Sequence, residues 1–244
     1  MRMPPAPLPR RVAAEFTGTA ALVAVIVGSG IRADLLSGDL GVRLLGNAAA
    51  SAIGLGLLIA LLGPVSGAHL NPVVTLSAWW DRRREPGGDG GREVLAYLAA
   101  QLAGAVGGAL LAEAMFGRAP GGSWPAGPAA SPHLLLGEAV ATAGLVLVVR
   151  GPARVGRPGL APVAVAGYVG AAIWFTSSGA FANPAATVGR SLTDSFTGIA
   201  PASVPAYAAA QFLGLLLGTG LAGVLYGTVR AGAEPEPAPA RRTG

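Results

Sequence analysis

The chain has 244 residues, 52% of them hydrophobic and only 12% charged, with a net charge of +5. A soluble domain carries about a quarter charged residues, so too little polar surface remains to cover a globule of this size in water. That argues against a soluble enzyme, a disordered protein or a nucleic-acid module, and the mean hydropathy of +0.56 points to a polytopic helical membrane protein. All 17 basic residues are arginine and cysteine is absent, which leaves no disulfide, thiolate metal site or catalytic thiol.

A bilayer core needs roughly 20 apolar helical residues to cross it. In chain order that window predicts spans at Val12–Ile31, Leu40–Leu62, Glu93–Met115, Leu134–Val149, Leu160–Phe175 and Val204–Val229. They form one membrane domain over 12–230, between Pro-rich polar tails at 1–11 and 231–244 that read as disordered. Arg10 and Arg11 ahead of an apolar run resemble a signal peptide, but Glu15 interrupts the run and five spans follow, so a retained helix is expected. With six spans and both ends on one side, that side collects thirteen arginines and the other only Arg32, Arg43, Arg118 and Arg190. This bias predicts cytoplasmic termini and accounts for the basic charge without a nucleic-acid partner.

The chain repeats itself. Ser66–Leu76 (SGAHLNPVVTL) aligns with Ser178–Val188 (SGAFANPAATV), six identities in eleven, and Tyr97–Gly104 aligns with Tyr207–Gly214, five in eight. Glu15 in the first span corresponds to Glu138 in the fourth. Three spans per half, about 12–116 and 133–230, require the halves to insert with opposite orientation, an inverted repeat.

The segments Asn71–Trp80 and Asn183–Ser191 are too short to cross a bilayer, and each opens with Asn-Pro. Asn is a favoured N-cap and Pro suits the first helical turn, so each reads as a short helix starting at its Asn. Inverted symmetry brings the two N-termini together near the midplane. Lipid cannot satisfy their free N–H groups, so they must line a polar cavity. Two positive dipole ends and two asparagine amides there would donate hydrogen bonds to a neutral solute and repel cations, protons included.

The paired motifs Asn71-Pro72-Val73 and Asn183-Pro184-Ala185, each preceded by Ser-Gly-Ala, resemble the signature of the aquaporin and aquaglyceroporin, or major intrinsic protein, family. The resemblance covers about Glu15 to Gly227. It implies an all-α right-handed bundle of six membrane helices plus two re-entrant half-helices, and a homotetramer with one pore per subunit. By the same resemblance Glu15 and Glu138 accept hydrogen bonds from the Asn-Pro loops; Gln101 and Gln211, in equivalent spans, read as bonding between helices or to those loops rather than to a solute. His69, in the Gly-Ala-His stretch, either lines the cytoplasmic mouth or is a packing histidine. Two distant histidines and no cysteine offer no metal site, and no cofactor is expected. Small residues such as Gly104, Gly108, Gly214 and Gly218 suit close helix packing. Trp79, Trp80 and Trp174 suit interface anchoring, with Trp174 alternatively facing the outer pore.

Water-selective family members place an arginine three residues after the second Asn; here that position is Ala186. The other filter positions map to Ser51, to Ala171 or Ile173, and to Ala180. The expected filter is small and lacks arginine, which widens it for larger uncharged solutes. Arg190 lies one turn beyond Ala186 and either supplies positive potential in the outer vestibule or pairs with Asp194 or headgroups. The expectation is a passive plasma-membrane channel for water with glycerol or undissociated metalloid acids such as arsenous acid. A water-selective channel is the alternative, and a secondary transporter with inverted repeats a more distant one. No nucleophile, base or metal cluster assembles for an enzyme.

Overall fold

In a computed structural model, which describes residues 6–83, 90–118 and 129–227, eight α-helices and no strand are found among the described residues. In order they are α1 (Leu8–Leu36), α2 (Leu40–Ser66), α3 (Pro72–Arg82), α4 (Gly91–Met115), α5 (Pro132–Arg154), α6 (Ala161–Phe175), α7 (Pro184–Arg190) and α8 (Val204–Tyr226). All but α3 and α7 belong to six segments long and apolar enough to cross a membrane, α6 and α8 each with a short 3₁₀ turn ahead of them.

The six expected spans are present, with ends that differ from the hydropathy window. Helix α1 starts at Leu8, so residues 8–11, read as tail, form its first turn. Pro9 presets the backbone there, and Arg11 is tied to Glu93 of α4 at 2.9 Å. Helix α2 continues past Leu62 to Ser66 with Pro64 inside it, and α5 runs past Val149 to Arg154. Charged residues extend these helices because they face partners at the membrane boundary: Arg150 and Arg154 of α5 both reach Asp81 of α3. Residues 1–5 and 231–244 of the tails, Arg84 and Val229 lie outside the described residues.

Each half repeats one arrangement, α1–α4 and α5–α8. Within each half, the first and last helices pack face to face, α1 on α4 and α5 on α8, and α2 meets α6 across the halves. The close approach is built on glycine. A Cβ on Gly108 would collide with the carbonyl oxygen of Ala20 on α1, and one on Gly218 with the carbonyl oxygen of Ala143 on α5. In lipid, where no hydrophobic force drives helices together, this intimate van der Waals contact supplies much of the association. Outward faces are apolar: Leu57, Leu61, Val163, Trp174 and Val224 are exposed on the surface of the chain.

Replacing Gly108 with Leu should force α1 and α4 apart, at about 3 kcal/mol or more. The expected outcome is a clear drop in thermal unfolding midpoint in detergent, with an equal drop for Gly218→Leu, whereas Gly220→Leu, where a Cβ meets open space, should be tolerated.

Candidate functional site

The stretches that precede the two half-helices share the same unusual backbone at matching positions. Ala68, Leu70, Ala180 and Ala182 all adopt left-handed backbone, with φ of 47°, 50°, 49° and 47°. Non-glycine residues in this region are strained, by roughly 1–3 kcal/mol each where the surroundings enforce it. Here the enforcement comes from two buried carboxylates. Glu15 accepts from the backbone N–H of His69 at 2.9 Å and of Leu70 at 2.7 Å, and also from Ser66 Oγ and Gln101 Nε2. Glu138 accepts from the N–H of Phe181 and of Ala182, both at 2.9 Å, and from Gln211 Nε2 at 2.6 Å. Gln101 and Gln211 donate further to Thr75 and Thr187, on the first turn of the respective half-helices. All four acidic and amide side chains are fully buried.

Each loop delivers its asparagine to a helix N-terminus. Asn71 Oδ1 accepts from Val73 N–H at 2.9 Å, and Asn183 Oδ1 accepts from Ala185 and Ala186 N–H at 3.0 and 3.2 Å. With the oxygens committed to capping, the amide nitrogens point across the junction. Asn71 Nδ2 donates to Ala182 O at 2.8 Å and Asn183 Nδ2 donates to Leu70 O at 2.9 Å. The half-helices therefore meet head to head, each asparagine fastened to the other's loop. A carboxamide has two N–H groups, and the second of each is free of protein acceptors among the described residues.

Both asparagines line one cavity of about 260 Å³, room for several waters or one small solute. Its wall is largely apolar, including Leu22, Leu55, Leu145 and Val165. A polar strip is formed by the two loops, Gly67–Asn71 and Gly179–Asn183. It runs from Ala78 and Ala161, toward the side that carries the N-terminus, to Arg190 on the other.

Of the residues singled out in the sequence, Asn71, Asn183, Ser51, Ile173, Ala180, Ala186, His69 and Arg190 lie on this cavity wall. Of the two fifth-span candidates, Ile173 lines the cavity and Ala171 is exposed. Pro72, Val73, Pro184 and Ala185 are buried behind the wall, where Val73 and Ala185 contribute backbone N–H groups to the caps. Glu15, Glu138, Gln101 and Gln211 stand behind it as well and hold the loops. His69 reaches the wall while its Nδ1 lies 3.2 Å from Thr75 Oγ1. Trp174 faces outward, 51% exposed, away from the cavity.

Arg190 does not pair with Asp194, whose carboxylate is taken by Arg118. Instead its Nε donates to Thr197 O at 2.5 Å and its guanidinium lies over the ring of Phe181, 3.3 Å from the centroid. The chain 191–199 curls back over α7 to provide that carbonyl, and Asp34 of α1 holds it by accepting from Phe196 N–H at 2.7 Å. Sequence reasoning overlooked Phe181 and Asn47, both on the cavity wall. Phe181 could have been found from the repeat, since it aligns with His69, and each packs edge-on against its half's tyrosine, Tyr207 and Tyr97. Among the described residues no group of three or more His, Asp or Glu could hold a metal.

Glu138→Gln replaces one accepting oxygen with an amide nitrogen, which cannot accept from the backbone N–H of Phe181 or of Ala182 that it then faces. It should lower stability by about 3 kcal/mol, read as a reduced unfolding midpoint in detergent, with Glu15→Gln at least as severe.

Residues 5–176 match the family described as major intrinsic protein. The aquaglyceroporin AqpS of Rhizobium meliloti is 41% identical over 207 residues, 85% of this chain and 86% of that protein. A probable aquaporin, AqpM of Archaeoglobus fulgidus, is 38% identical over 160 residues, 62% of this chain and 63% of that one. In fold, the chain is similar to the X-ray structure of the aquaglyceroporin from Plasmodium falciparum, with a TM-score of 0.64 at 20% identity, covering 91% of this chain and 97% of that one. On the strength of the paired half-helices and these likenesses, the chain belongs to the major intrinsic protein family: it is a multi-pass membrane channel and not an enzyme.

Proposed function

We propose that this channel passes water and small uncharged solutes passively, glycerol-sized polyols and undissociated metalloid acids such as arsenous acid among them. The observation that carries the reading is the cavity wall around Ala186: Ser51, Ile173, Ala180 and Ala186 bring no cation and no aromatic ring to the level where a narrow water filter would need them. The aquaglyceroporin similarity of the Rhizobium meliloti relative supports a polyol-sized passage. A solute moving along the polar strip exchanges its water hydrogen bonds for those of the loops and of the two asparagine amides, while the apolar wall opposite lets go of it.

Ions and protons are excluded at the junction of α3 and α7, with Arg190 a further barrier to cations at the outer end. Two helix N-termini and two amide donors face one point, so a cation meets only positive partial charge there and a hydrogen-bonded water chain is forced to reverse orientation. Coupled transport lacks support, because Glu15 and Glu138 are sequestered behind the wall with both oxygens of each accepting hydrogen bonds from the loops. The assembly is a homotetramer with one passage per subunit, in the plasma membrane, with both termini cytoplasmic as the arginine distribution supports.

Stopped-flow light scattering on proteoliposomes tests this: permeability to water, glycerol and arsenous acid should all exceed that of protein-free vesicles and be indifferent to pH and sodium gradients. Water flux with no gain for either solute would overturn the solute assignment. Ala186→Arg should cut glycerol permeability by roughly ten-fold or more while sparing most water flux, since one guanidinium refills the constriction. Arg190→Ala should admit a measurable potassium leak, read by a potential-sensitive dye, because it removes the cation that lines the outer end.

A further inference from the structure

Asn47 on α2 is 6% exposed and lines the same cavity as Arg190. Its Nδ2 donates to Ile26 O and to Ser29 Oγ, both at 2.9 Å. A backbone carbonyl can only accept, so the amide orientation is fixed and both N–H groups are spent on α1. Its Oδ1 has no protein partner among the described residues, which leaves a locked acceptor as the polar atom of Asn47 turned to the cavity. Ser51 Oγ, one turn further in, is 4% exposed as a residue, lines the cavity and is likewise without a partner among the described residues. Arg190 is locked in the complementary sense. Its Nε is held by Thr197 and its plane by Phe181, and its remaining N–H groups can only donate.

The two residues share a register. Helix α2 runs inward from Asn47 to Ser51, and α7 runs outward from Ala186 to Arg190. With Ser51 and Ala186 taken as facing each other across the constriction, as their filter positions imply, Asn47 and Arg190 each stand one helical turn, about 6 Å, outside it.

We propose that Asn47 and Arg190 form the solute-selecting ring of this channel, displaced one turn outward from the level of Ser51 and Ala186. The ring pairs a fixed neutral acceptor with a fixed cationic donor set. It fits solutes that carry hydroxyl donors and oxygen acceptors on the same or adjacent atoms, the pattern common to polyols and undissociated oxyacids. A solute with acceptors alone is served only by Arg190, and a cation is opposed by it. This rests on the channel reading above and adds Asn47 as a specificity-determining residue.

The test is stopped-flow permeability of Asn47→Ala, Asn47→Ser and Ser51→Ala proteoliposomes to water, glycerol and trimethylamine N-oxide, a small solute that accepts but cannot donate. Asn47→Ala should lower glycerol permeability roughly three- to ten-fold, one lost hydrogen bond in the rate-limiting passage, with trimethylamine N-oxide, which has no donor for Asn47 to accept, unchanged. Asn47→Ser, which keeps a small hydroxyl at that level and disturbs packing less, should give an intermediate loss. A glycerol rate unaltered in Asn47→Ser and Asn47→Ala, or a loss found in Ser51→Ala alone, would overturn the displaced ring while leaving the channel intact. If Asn47→Ala does not insert, Asn47→Ser alone decides by the same criterion. Failure of the unaltered protein to conduct water or glycerol would instead bring down the channel reading itself.

Discussion

The structure depends on a buried carboxylate satisfying two consecutive backbone N–H groups, once in each half. Without Glu15 the His69 and Leu70 amides would be stranded inside the membrane, and without Glu138 those of Phe181 and Ala182. Hydrogen bonds to a charged acceptor are worth about 1.5–3 kcal/mol each, enough to hold four non-glycine residues in left-handed backbone. An ionised side chain in this setting is normally costly, and the donors gathered around each carboxylate are what make it tolerable. The loops then deliver their asparagines to the junction in one defined orientation.

Glycine contributes on a larger scale. The contacts of Gly108 with the Ala20 carbonyl and of Gly218 with the Ala143 carbonyl bring the carboxylate-bearing helices α1 and α5 against α4 and α8. Those partners carry Gln101 and Gln211, whose amides complete the coordination of Glu15 and Glu138. Packing and polar satisfaction are therefore coupled: a helix pair held apart by one side chain would also withdraw a donor from a carboxylate. This shared dependence recurs in both halves and explains why Glu15, Gln101 and their counterparts occupy equivalent places in the repeat.

Much of this was legible in the sequence because it rests on local chemistry with a fixed spacing. Asn-Pro after a glycine-bearing turn announced each half-helix, while the support of Glu15 and Glu138 was legible only through the family resemblance. Helix ends were less legible, since a hydropathy window stops at the first arginines, whereas Arg11 and Arg150 continue their helices by pairing with Glu93 and Asp81. The choice between Ala171 and Ile173 was undetermined because a loop of altered length separates them from Asn183, and only the rotation of α6 decides which one faces inward. Asn47 was invisible for a related reason. An amide in an apolar span reads as interhelical glue, and only the positions of Ile26 O and Ser29 reveal which of its atoms is left over.

The reciprocal bonds from Asn71 to Ala182 and from Asn183 to Leu70 also constrain how the chain comes into being. When α1 to α4 have been made and α7 has not, the first asparagine has no mate, and the bilayer around it provides none. The re-entrant loop of the first half stays unfinished until the second half is in place. The passage is thus complete only when both halves are present, each asparagine supplying the bond that finishes the other's loop.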